Sequence, residues 1–274
     1  MSPILLAIII VTLIGLFSAG VLAVASHFMS VPVNEKEVRI RECLPGANCG
    51  ACGFTGCDGY AKALAEVEGT KTNLCVPGAD AVAKKVADVL GVEAEDVIEQ
   101  VAFVHCSGDC INRKEKHIYK GIESCAAAQM LYGGSGMCTQ GCIGLGDCQK
   151  ACPQNAICIE NGIAHIDTRK CVGCGVCART CPNHLIRLFP DVRRVVVCCS
   201  NHEKGAVVRG KCSSGCIGCG LCMRNCEHDA ITVVNNLAVI DYEKCVSCGK
   251  CVEKCPVHAI KFADFSGRHR FDAE

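Results

Sequence analysis

Cysteine is the residue type of this chain whose number and spacing point to chemistry. The chain has 274 residues, of which 28 are cysteine, and two runs have the spacing C-x2-C-x2-C-x3-C-P. The cysteines of these runs are Cys171, Cys174, Cys177 and Cys181, and Cys245, Cys248, Cys251 and Cys255. In proteins with two [4Fe–4S] clusters, three cysteines of such a run bind one cluster and the fourth binds the other. The runs therefore predict thiolate ligands for iron–sulfur clusters, which carry single electrons.

The two runs belong to a longer internal repeat, in which 138–181 match 212–255 without a gap. Upstream of the runs, Cys138, Cys142, Cys148 and Cys152 recur as Cys212, Cys216, Cys222 and Cys226. The copies differ at one ligand position, because Leu145 stands where the second copy has Cys219. A cluster in the first copy loses a ligand there unless Cys138 replaces it. The predicted upstream ligands are Cys138, Cys142, Cys148 and Cys152 in the first copy, and Cys216, Cys219, Cys222 and Cys226 in the second.

A separate four-cysteine motif precedes the repeat and begins LPGANCGACGFTGC. Its candidate ligands are Cys49, Cys52, Cys57 and Cys75. Glycines interleave with these cysteines, and glycine allows both tight turns and a close approach of backbone N–H groups to sulfur. Four cysteines can also bind zinc. A closely spaced triad with a distant fourth cysteine suits a [4Fe–4S] cluster at least as well.

These assignments use 20 of the 28 cysteines and predict five [4Fe–4S] clusters. The remaining cysteines are Cys43, Cys106, Cys110, Cys125, Cys158, Cys198, Cys199 and Cys212. Cys125 and Cys199 also match at the offset of the repeat, which indicates that the duplication extends upstream of the runs. A sixth cluster could draw on Cys106, Cys110 and Cys125. The alternative is that the remaining thiols are buried and bind nothing, since free cysteine is among the most buried residue types.

Composition and missing motifs exclude several classes of function. Disulfide frameworks require paired Cα atoms within about 7 Å and have no preference for C-x2-C-x2-C spacing. Lys and Arg together number 28, as do Asp and Glu, so no excess charge points to nucleic acid. There is no C-x-x-C-H haem attachment, no P-loop and no strand-linked G-x-G-x-x-G. The chain is therefore expected to carry electrons without hydride chemistry, and we assign it no catalytic residue.

The segments around the cysteines predict the elements that position them. AICIENGIAHID and AITVVNNLAVID each alternate apolar residues around Asn161-Gly162 or Asn235-Asn236, which is typical of β-hairpins. Near the first motif, short helices are expected over 58–67, with Tyr60 and Leu64 on one face, and over 80–90.

The predicted fold class is α+β, with an N-terminal transmembrane helix, a small four-cysteine iron–sulfur domain and two tandem ferredoxin-like 2[4Fe–4S] units. The predicted divisions are a transmembrane anchor at 1–30, the four-cysteine domain at 31–100, a connecting segment at 101–135, the first ferredoxin-like unit at 136–190, a basic link at 191–211 and the second unit at 212–274.

The N-terminal segment predicts the membrane anchor. From Pro3 to Met29 there is no Asp, Glu, Lys or Arg, and about 20 apolar residues are enough to span a bilayer. A cleaved signal peptide is the competing interpretation, but its basic n-region is missing. Lys36, Arg39 and Arg41 follow the helix, and basic residues favour the cytoplasmic side. We therefore expect a single-pass protein of the cytoplasmic membrane with its cluster domains on the cytoplasmic side.

The apolar segment, the LPGANCGACGFTGC motif with its downstream CVPG, and the ferredoxin runs together resemble the B subunit of the Rnf complex. That family belongs to the ion-translocating ferredoxin:NAD oxidoreductases. The resemblance covers nearly the whole chain and is closest to the family form with two ferredoxin units. It implies that reduced ferredoxin donates electrons and that sister subunits carry the flavins, bind NAD and pump ions. Leu145, Glu227 in the place of Pro153, and the additional Cys43 depart from the pattern.

Two other classes of function stay open from the sequence. One is a membrane-tethered accessory that keeps the cluster of a soluble redox sensor reduced. The other is a zinc-binding or storage protein in which the metal is structural.

The link between the two units is a candidate docking surface for an acidic ferredoxin, because complementary charge favours docking. Its basic residues are Arg187, Arg193, Arg194, Lys204, Arg209 and Lys211. The acidic residues of the same stretch are only Asp191 and Glu203. A solvated connection without a partner is the alternative.

Overall fold

A computed structural model describes residues 3–28, 34–67, 69–95, 100–190 and 195–263. The helices are α1 (Pro3–Phe28), α2 (Glu35–Cys43), α3 (Cys57–Glu66), α4 (Ala79–Leu90), α5 (Cys125–Met130), α6 (Asp147–Lys150), α7 (Val176–Thr180), α8 (Gly205–Lys211), α9 (Leu221–Arg224) and α10 (Lys250–Glu253). The strands are β1 (Gln100–Val104), β2 (Ile157–Glu160), β3 (Ile163–Ile166), β4 (Ile186–Pro190), β5 (Val195–Val197), β6 (Ile231–Val234), β7 (Leu237–Ile240) and β8 (Ile260–Phe262). Mixed helix and strand content agrees with the predicted α+β class.

Helix α1 contains most of the uncharged N-terminal segment. Among the residues that the structure describes, no helix is long and apolar enough to cross a membrane. The anchor over 1–30 therefore stays a prediction.

The module around the first cysteine motif is built from α2, α3 and α4. Asn34 caps α2 by accepting a hydrogen bond from the backbone N–H of Lys36 at 3.0 Å. Tyr60 and Leu64 of α3 are buried with Ile40, which confirms the predicted apolar face of this helix. Helix α4 ends at Gly91, whose φ of 71° is the left-handed conformation expected at a helix C-terminus. Both predicted helices are therefore present, with boundaries that differ by no more than one residue.

Both predicted β-hairpins are confirmed. Strand β2 pairs antiparallel with β3, and β6 pairs antiparallel with β7. The turn residues have positive φ, 49° at Asn161 and 72° at Gly162, and 49° at Asn235 and 64° at Asn236. Asparagine and glycine tolerate this conformation, which fits the right-handed twist of the flanking strands.

Each ferredoxin-like unit has a second strand pair that the sequence did not predict. In the first unit β1 pairs antiparallel with β4, so residues 101–104 of the expected connecting segment form a strand. In the second unit β5 pairs antiparallel with β8. Ile186 of β4 and Ile260 of β8 are equivalent in the repeat, and they pair with Val104 and Val197. Strands β1 and β5 are therefore equivalent in space.

A shared core joins the two units. Phe103 and Val196 are fully buried in one apolar cluster with Phe189. Phe189 also packs edge-on against Tyr242 of the second unit, with ring centroids 5.2 Å apart. Nδ1 of the His105 ring lies 2.9 Å from the carbonyl oxygen of Val197. These contacts place the segments after β1 and β5 side by side.

Candidate iron–sulfur sites

The four cysteines of the first motif adjoin one another and are called site 1. Its members are Cys49, Cys52, Cys57 and Cys75. Burial, together with the negative charge of the three neighbouring thiolates, raises the pKa of Cys75 to about 11. The Asn48 side-chain oxygen accepts a hydrogen bond from the backbone N–H of Cys57 at 2.8 Å. Gly56 has a φ of 144°, and a Cβ there would lie 3.0 Å from the same Asn48 oxygen. The loop thus requires glycine at this position.

The second ferredoxin-like unit contains the predicted ligand sets as two adjacent groups. Site 4 is a cavity lined by Cys216, Cys219, Cys222 and Cys255. Site 5 takes the repeat equivalents of Cys152, Cys171, Cys174 and Cys177, which are Cys226, Cys245, Cys248 and Cys251. Burial is the main cause that raises the pKa of Cys251 to about 11, and the charges of Cys245 and Cys222 add to it. In site 4, three cysteines of the upstream run therefore share a cavity with the last cysteine of the downstream run.

Site 3, in the first unit, follows the same pattern. It is a cavity lined by Cys152, Cys171, Cys174 and Cys177. The backbone N–H of Ala156 donates to the Cys152 sulfur at 3.3 Å, as that of Ala230 does to Cys226 at 3.4 Å. These pairs are equivalent in the repeat. Hydrogen bonds to sulfur are one of the means by which proteins adjust cluster potentials.

Site 2, also in the first unit, departs from the expected ligand set. It is a cavity lined by Cys125, Cys142, Cys148 and Cys181. Because Leu145 replaces a cysteine in this run, Cys142, Cys148 and Cys181 lack a fourth thiolate. The structure places Cys125, rather than Cys138, beside them. Burial raises the pKa of Cys148 to about 12, and among neighbouring charges that of Cys125 adds most to this rise. Sequence reasoning missed this role because Cys125 lies outside the repeated runs.

Helix α5 carries Cys125 to site 2 because its N-terminus is attached to α6. The carboxylate of Asp147 accepts hydrogen bonds from the Ser124 hydroxyl at 2.9 Å and from the backbone N–H of Ala126 at 3.0 Å. The Lys150 ammonium donates to the backbone oxygen of Glu123 at 2.8 Å. These bonds satisfy backbone groups at the start of α5 and fix the position of its first residue.

Cys138 lines a different cavity, between the two units. This junction cavity is bordered by Cys106, Cys138, Cys198, Cys199 and Cys212. The expected use of Cys138 in the first run is therefore not supported by its position. Cys110 is exposed, and the Cys158 thiol on β2 lies 3.6 Å from a carboxylate oxygen of Glu160.

No group of three or more Cys, His, Asp and Glu side chains in the described part of the chain is arranged to hold a single metal ion. A [4Fe–4S] cluster makes a different demand, because each thiolate binds a different iron and the four sulfurs surround a volume. The cysteine-lined cavities fit that demand in the chemistry and number of their donors. Burial also raises the pKa of Cys142 to about 11 and of Cys177 to about 12, so cluster binding must release protons from these thiols.

The basic link is only partly described. Arg193 and Arg194 lie outside the described residues. Lys204 and Arg209 are exposed. Lys211 is instead paired with Glu203, its ammonium 2.6 Å from a carboxylate oxygen.

Comparisons with known proteins match iron–sulfur domains to parts of this chain. A family model described as "4Fe-4S binding domain" matches residues 164–187, 213–232 and 238–261. A second, described as "Putative Fe-S cluster", matches residues 44–77. The B subunit of the proton-translocating ferredoxin:NAD(+) oxidoreductase complex of Clostridium ljungdahlii is 46% identical over 88% of this chain and 85% of its own. The B subunit of the Na(+)-translocating complex of Acetobacterium woodii is 39% identical over 95% of this chain and 78% of its own. The B subunit of the ion-translocating oxidoreductase complex of Methanosarcina acetivorans is 40% identical over 92% of this chain and 96% of its own.

The chain belongs to this family of B subunits. Its membership confirms the resemblance recognised from the sequence. The chain is an electron-transfer subunit of an oxidoreductase complex, and iron–sulfur clusters of the [4Fe–4S] type are its cofactors. The first upstream run, 138–152, lies outside the ranges matched by the ferredoxin-type model. That run is the one in which Leu145 replaces a cysteine.

Proposed function

We propose that this chain accepts electrons from reduced ferredoxin and relays them through [4Fe–4S] clusters to other subunits of an ion-pumping ferredoxin:NAD oxidoreductase. The observation that carries the proposal is the adjacency of the cysteine sites. Its relatives are named as subunits of complexes with this reaction. A chain of redox centres is what such a reaction needs between a soluble donor and its membrane partners.

The proposed ligand sets are sites 1 to 5, with Cys125 in site 2. They comprise Cys49, Cys52, Cys57 and Cys75; Cys125, Cys142, Cys148 and Cys181; Cys152, Cys171, Cys174 and Cys177; Cys216, Cys219, Cys222 and Cys255; and Cys226, Cys245, Cys248 and Cys251. A bound [4Fe–4S] cluster supplies a one-electron redox centre at each site. The protein contributes thiolates, N–H donors to sulfur and shielding from water.

The order of the sites follows from which thiols are neighbours. Burial is the main cause that raises the pKa of Cys174, and the charge of Cys49 adds to it, so sites 1 and 3 adjoin. Arg179 beside site 3 also donates a hydrogen bond to the backbone oxygen of Cys49. Cys177 of site 3 likewise contributes to the raised pKa of Cys148 in site 2. The electron path in this half of the molecule is therefore site 1, site 3, site 2 or its reverse.

A membrane anchor at residues 1–30 is part of the proposal. The segment from Pro3 to Met29 has no charged residue. Apolar side chains of α1 are exposed, including Leu16 at 71% and Phe17 at 74%. Such side chains are stabilised when lipid or a neighbouring helix replaces water. Basic residues after the helix favour cluster domains on the cytoplasmic side.

Ferredoxin docking at the basic link is the proposed entry for electrons. Arg187 on β4, Lys204 just before α8 and Arg209 on α8 are described and exposed cations of this stretch. Reversing Lys204 and Arg209 to Glu should raise the KM for ferredoxin at low salt, and the difference should shrink at high salt because exposed charges are screened. An unchanged KM at low salt would exclude this surface.

Low-temperature EPR of the reduced full chain tests the proposed function. Stoichiometric reduced ferredoxin should bleach the visible cluster absorption of the chain and produce [4Fe–4S]⁺ signals. Dithionite gives the full reducible signal for comparison, and NADH without the partner subunits should give none. Absence of cubane signals with dithionite, or zinc in place of iron, would overturn the proposal.

A further inference from the structure

Four cavities in the ferredoxin-like region are lined by cysteines. Sites 2, 3 and 4 are each lined by four cysteines. The junction cavity is lined by Cys106, Cys138, Cys198, Cys199 and Cys212. It resembles the other three in its lining, although no run of the ferredoxin pattern accounts for it.

The two units contribute equivalent cysteines to the junction cavity. The backbone N–H of His105 donates to Leu185 at 2.8 Å, and that of Cys198 donates to Ala259 at 2.7 Å. Leu185 and Ala259 match in the internal repeat, so His105 and Cys198 are equivalent, and Cys106 is equivalent to Cys199. This replaces the sequence-based match of Cys125 with Cys199.

The two copies differ in length between the paired cysteines of the junction cavity. The stretch from Cys106 to Cys138 is longer than that from Cys199 to Cys212. The additional segment of the first copy contains Cys125. An insertion in the first unit therefore explains why the gap-free match fails upstream of Cys138.

Equivalent N–H groups also point at the equivalent sulfurs. The Cys106 sulfur accepts from the N–H groups of Gly108 and Cys142, both at 3.4 Å. The Cys199 sulfur accepts from the N–H of Asn201 at 3.4 Å and from that of Cys216. In each pair, one donor is the residue two positions after the accepting cysteine. The other donor is a proposed ligand of the neighbouring site, which is site 2 for Cys106 and site 4 for Cys199. A repeated arrangement of donors around sulfur is the environment that a cluster thiolate requires.

The second pair of cysteines begins the two upstream runs. Cys138 and Cys212 are equivalent in the internal repeat. The Cys138 sulfur accepts a hydrogen bond from the side-chain amide of Asn201 at 3.3 Å. The Cys212 sulfur accepts from the backbone N–H of Ser214, and Cys212 is 9% exposed. All four sulfurs therefore have N–H donors.

Two glycines border the space between these sulfurs. A Cβ on Gly108 would lie 3.5 Å from the Cys212 sulfur and 3.6 Å from the Cys106 sulfur. A Cβ on Gly141 would lie 3.5 Å from the Cys138 sulfur and 3.7 Å from the Cys106 sulfur. Cys106 therefore lies close to both Cys138 and Cys212.

We propose that the junction cavity binds a sixth [4Fe–4S] cluster through Cys106, Cys138, Cys199 and Cys212. This set replaces the sequence-based expectation of Cys106, Cys110 and Cys125, since Cys110 is exposed and Cys125 lines site 2. The fifth cysteine of the cavity, Cys198, has the position of His105 in the first unit and is not a ligand.

The position of this site indicates that it transfers electrons between the two units. This role rests on the proposed function, whereas the ligand set does not. Cys106 accepts from the N–H of Cys142 in site 2, and Cys199 from that of Cys216 in site 4. The junction site therefore lies between the two units. Each electron received from one neighbouring cluster passes to the other, without bond formation or proton transfer. Without it, the two units lack a common redox centre at their contact.

Metal counting on the full chain tests the ligand set. After anaerobic cluster reconstitution, native mass spectrometry with iron and sulfide analysis should find about 24 irons in the wild type, since each cluster holds four. The variant C138S/C212S should lose about four irons and four sulfides. The matched control C43S/C158S removes two thiols outside all six sites and should lose none. A wild type with about 20 irons, or the loss of one zinc ion from the variant, would overturn the proposal.

Differential alkylation of the wild type gives a second measurement that does not depend on folding of a variant. In the loaded chain, iodoacetamide should label exposed Cys110 while sparing the four junction cysteines. Iron chelation followed by denaturation should make all of them reactive. Labelling of Cys138 and Cys212 in the fully loaded native chain would contradict the proposal. If the sixth cluster is absent but ferredoxin still reduces the other five, the proposed function would be retained and only the junction site would be rejected.

Discussion

The two ferredoxin-like units have the same strand pairs but complete their first cluster site in different ways. In the second unit, Cys219 within the run lines site 4. In the first unit, Leu145 occupies that position, and Cys125 reaches site 2 from helix α5. The two units therefore share a ligand set in space and not in sequence spacing. An additional segment upstream of the first run supplies the cysteine that Leu145 does not.

Attachment of the insertion is the second part of the difference. Asp147 on α6 binds the N-terminus of α5, whereas the equivalent residue of the second unit is Leu221, which begins α9. The first unit thus needs a polar contact that the second does not. Its cluster site depends on the docking of a separate helix.

Removal of the two non-equivalent ligands should have the largest effect. C125S in the first unit and C219S in the second should each lose about four irons, because a site with three thiolates holds its cluster poorly. Metal binding is coupled to folding, so both variants should also unfold at lower temperature. Iron analysis and anaerobic thermal unfolding measure these losses. C158S is the control, since its thiol lies outside the sites; full iron content in C125S would refute the role of α5.

Restoring the missing cysteine should reverse the loss in the first unit. In the double variant C125S/L145C, the new thiol stands at the position of Cys219 and should recover most of the four irons. Replacing Leu145 by Ser in the same background supplies a polar side chain without a thiolate and should recover none of the lost iron. Equal iron content in the two double variants would show that the units do not share the site geometry.

Sequence reasoning reached the parts of the fold whose signals are local. The hairpins follow from alternation around Asn161-Gly162 and Asn235-Asn236, and the α3 face follows from the spacing of Tyr60 and Leu64. These elements are specified by neighbouring residues, so the chain need not be folded to recognise them.

The parts that were missed depend on contacts between distant segments. Strand β1 is identified by its pairing with β4, which follows only after the whole first upstream run and its hairpin. Cys125 and Cys199 match in sequence, but strand pairing makes Cys106 the counterpart of Cys199. A gap-free alignment cannot detect this, because the insertion changes the spacing upstream of the runs. The role of Asp147 likewise exists only once α5 meets α6.

Loss of the α5 attachment should have an intermediate effect. D147N keeps the shape of the side chain but weakens its hydrogen bonds to Ser124 and Ala126, so the free energy of unfolding should fall by about 1 kcal/mol. Anaerobic thermal unfolding and the rate of iron loss to a chelator should both register the change. D88N, at an exposed residue of α4, is the matched control. An unchanged rate of iron loss in D147N would show that site 2 keeps its cluster without the attachment of α5 to α6.

The same variant should show a defined pH dependence. Partial burial would raise the pKa of Asp147, but hydrogen bonds from Ala126, Cys125 and Ser124 outweigh it, so the pKa is lowered. A lowered folded pKa means stabilisation that is complete above about pH 5 and lost as pH falls through that pKa. The stability difference between wild type and D147N should therefore shrink below about pH 4. A constant difference would mean that the carboxylate charge is not what holds α5.

The smallest effect is expected at Glu227, where the second unit departs from the first. Pro153 restricts the backbone after Cys152, whereas Glu227 after Cys226 forms an ion pair with Lys250. Hydrogen bonding with Lys250 is the main cause that lowers the pKa of Glu227. Because this pair is exposed, E227Q should change the unfolding temperature less than D147N and leave the iron content intact. The small change should disappear at high salt. If E227Q instead lost the site 5 cluster, the pair would be replacing the proline's constraint, and the second unit too would depend on a polar contact to keep a cluster.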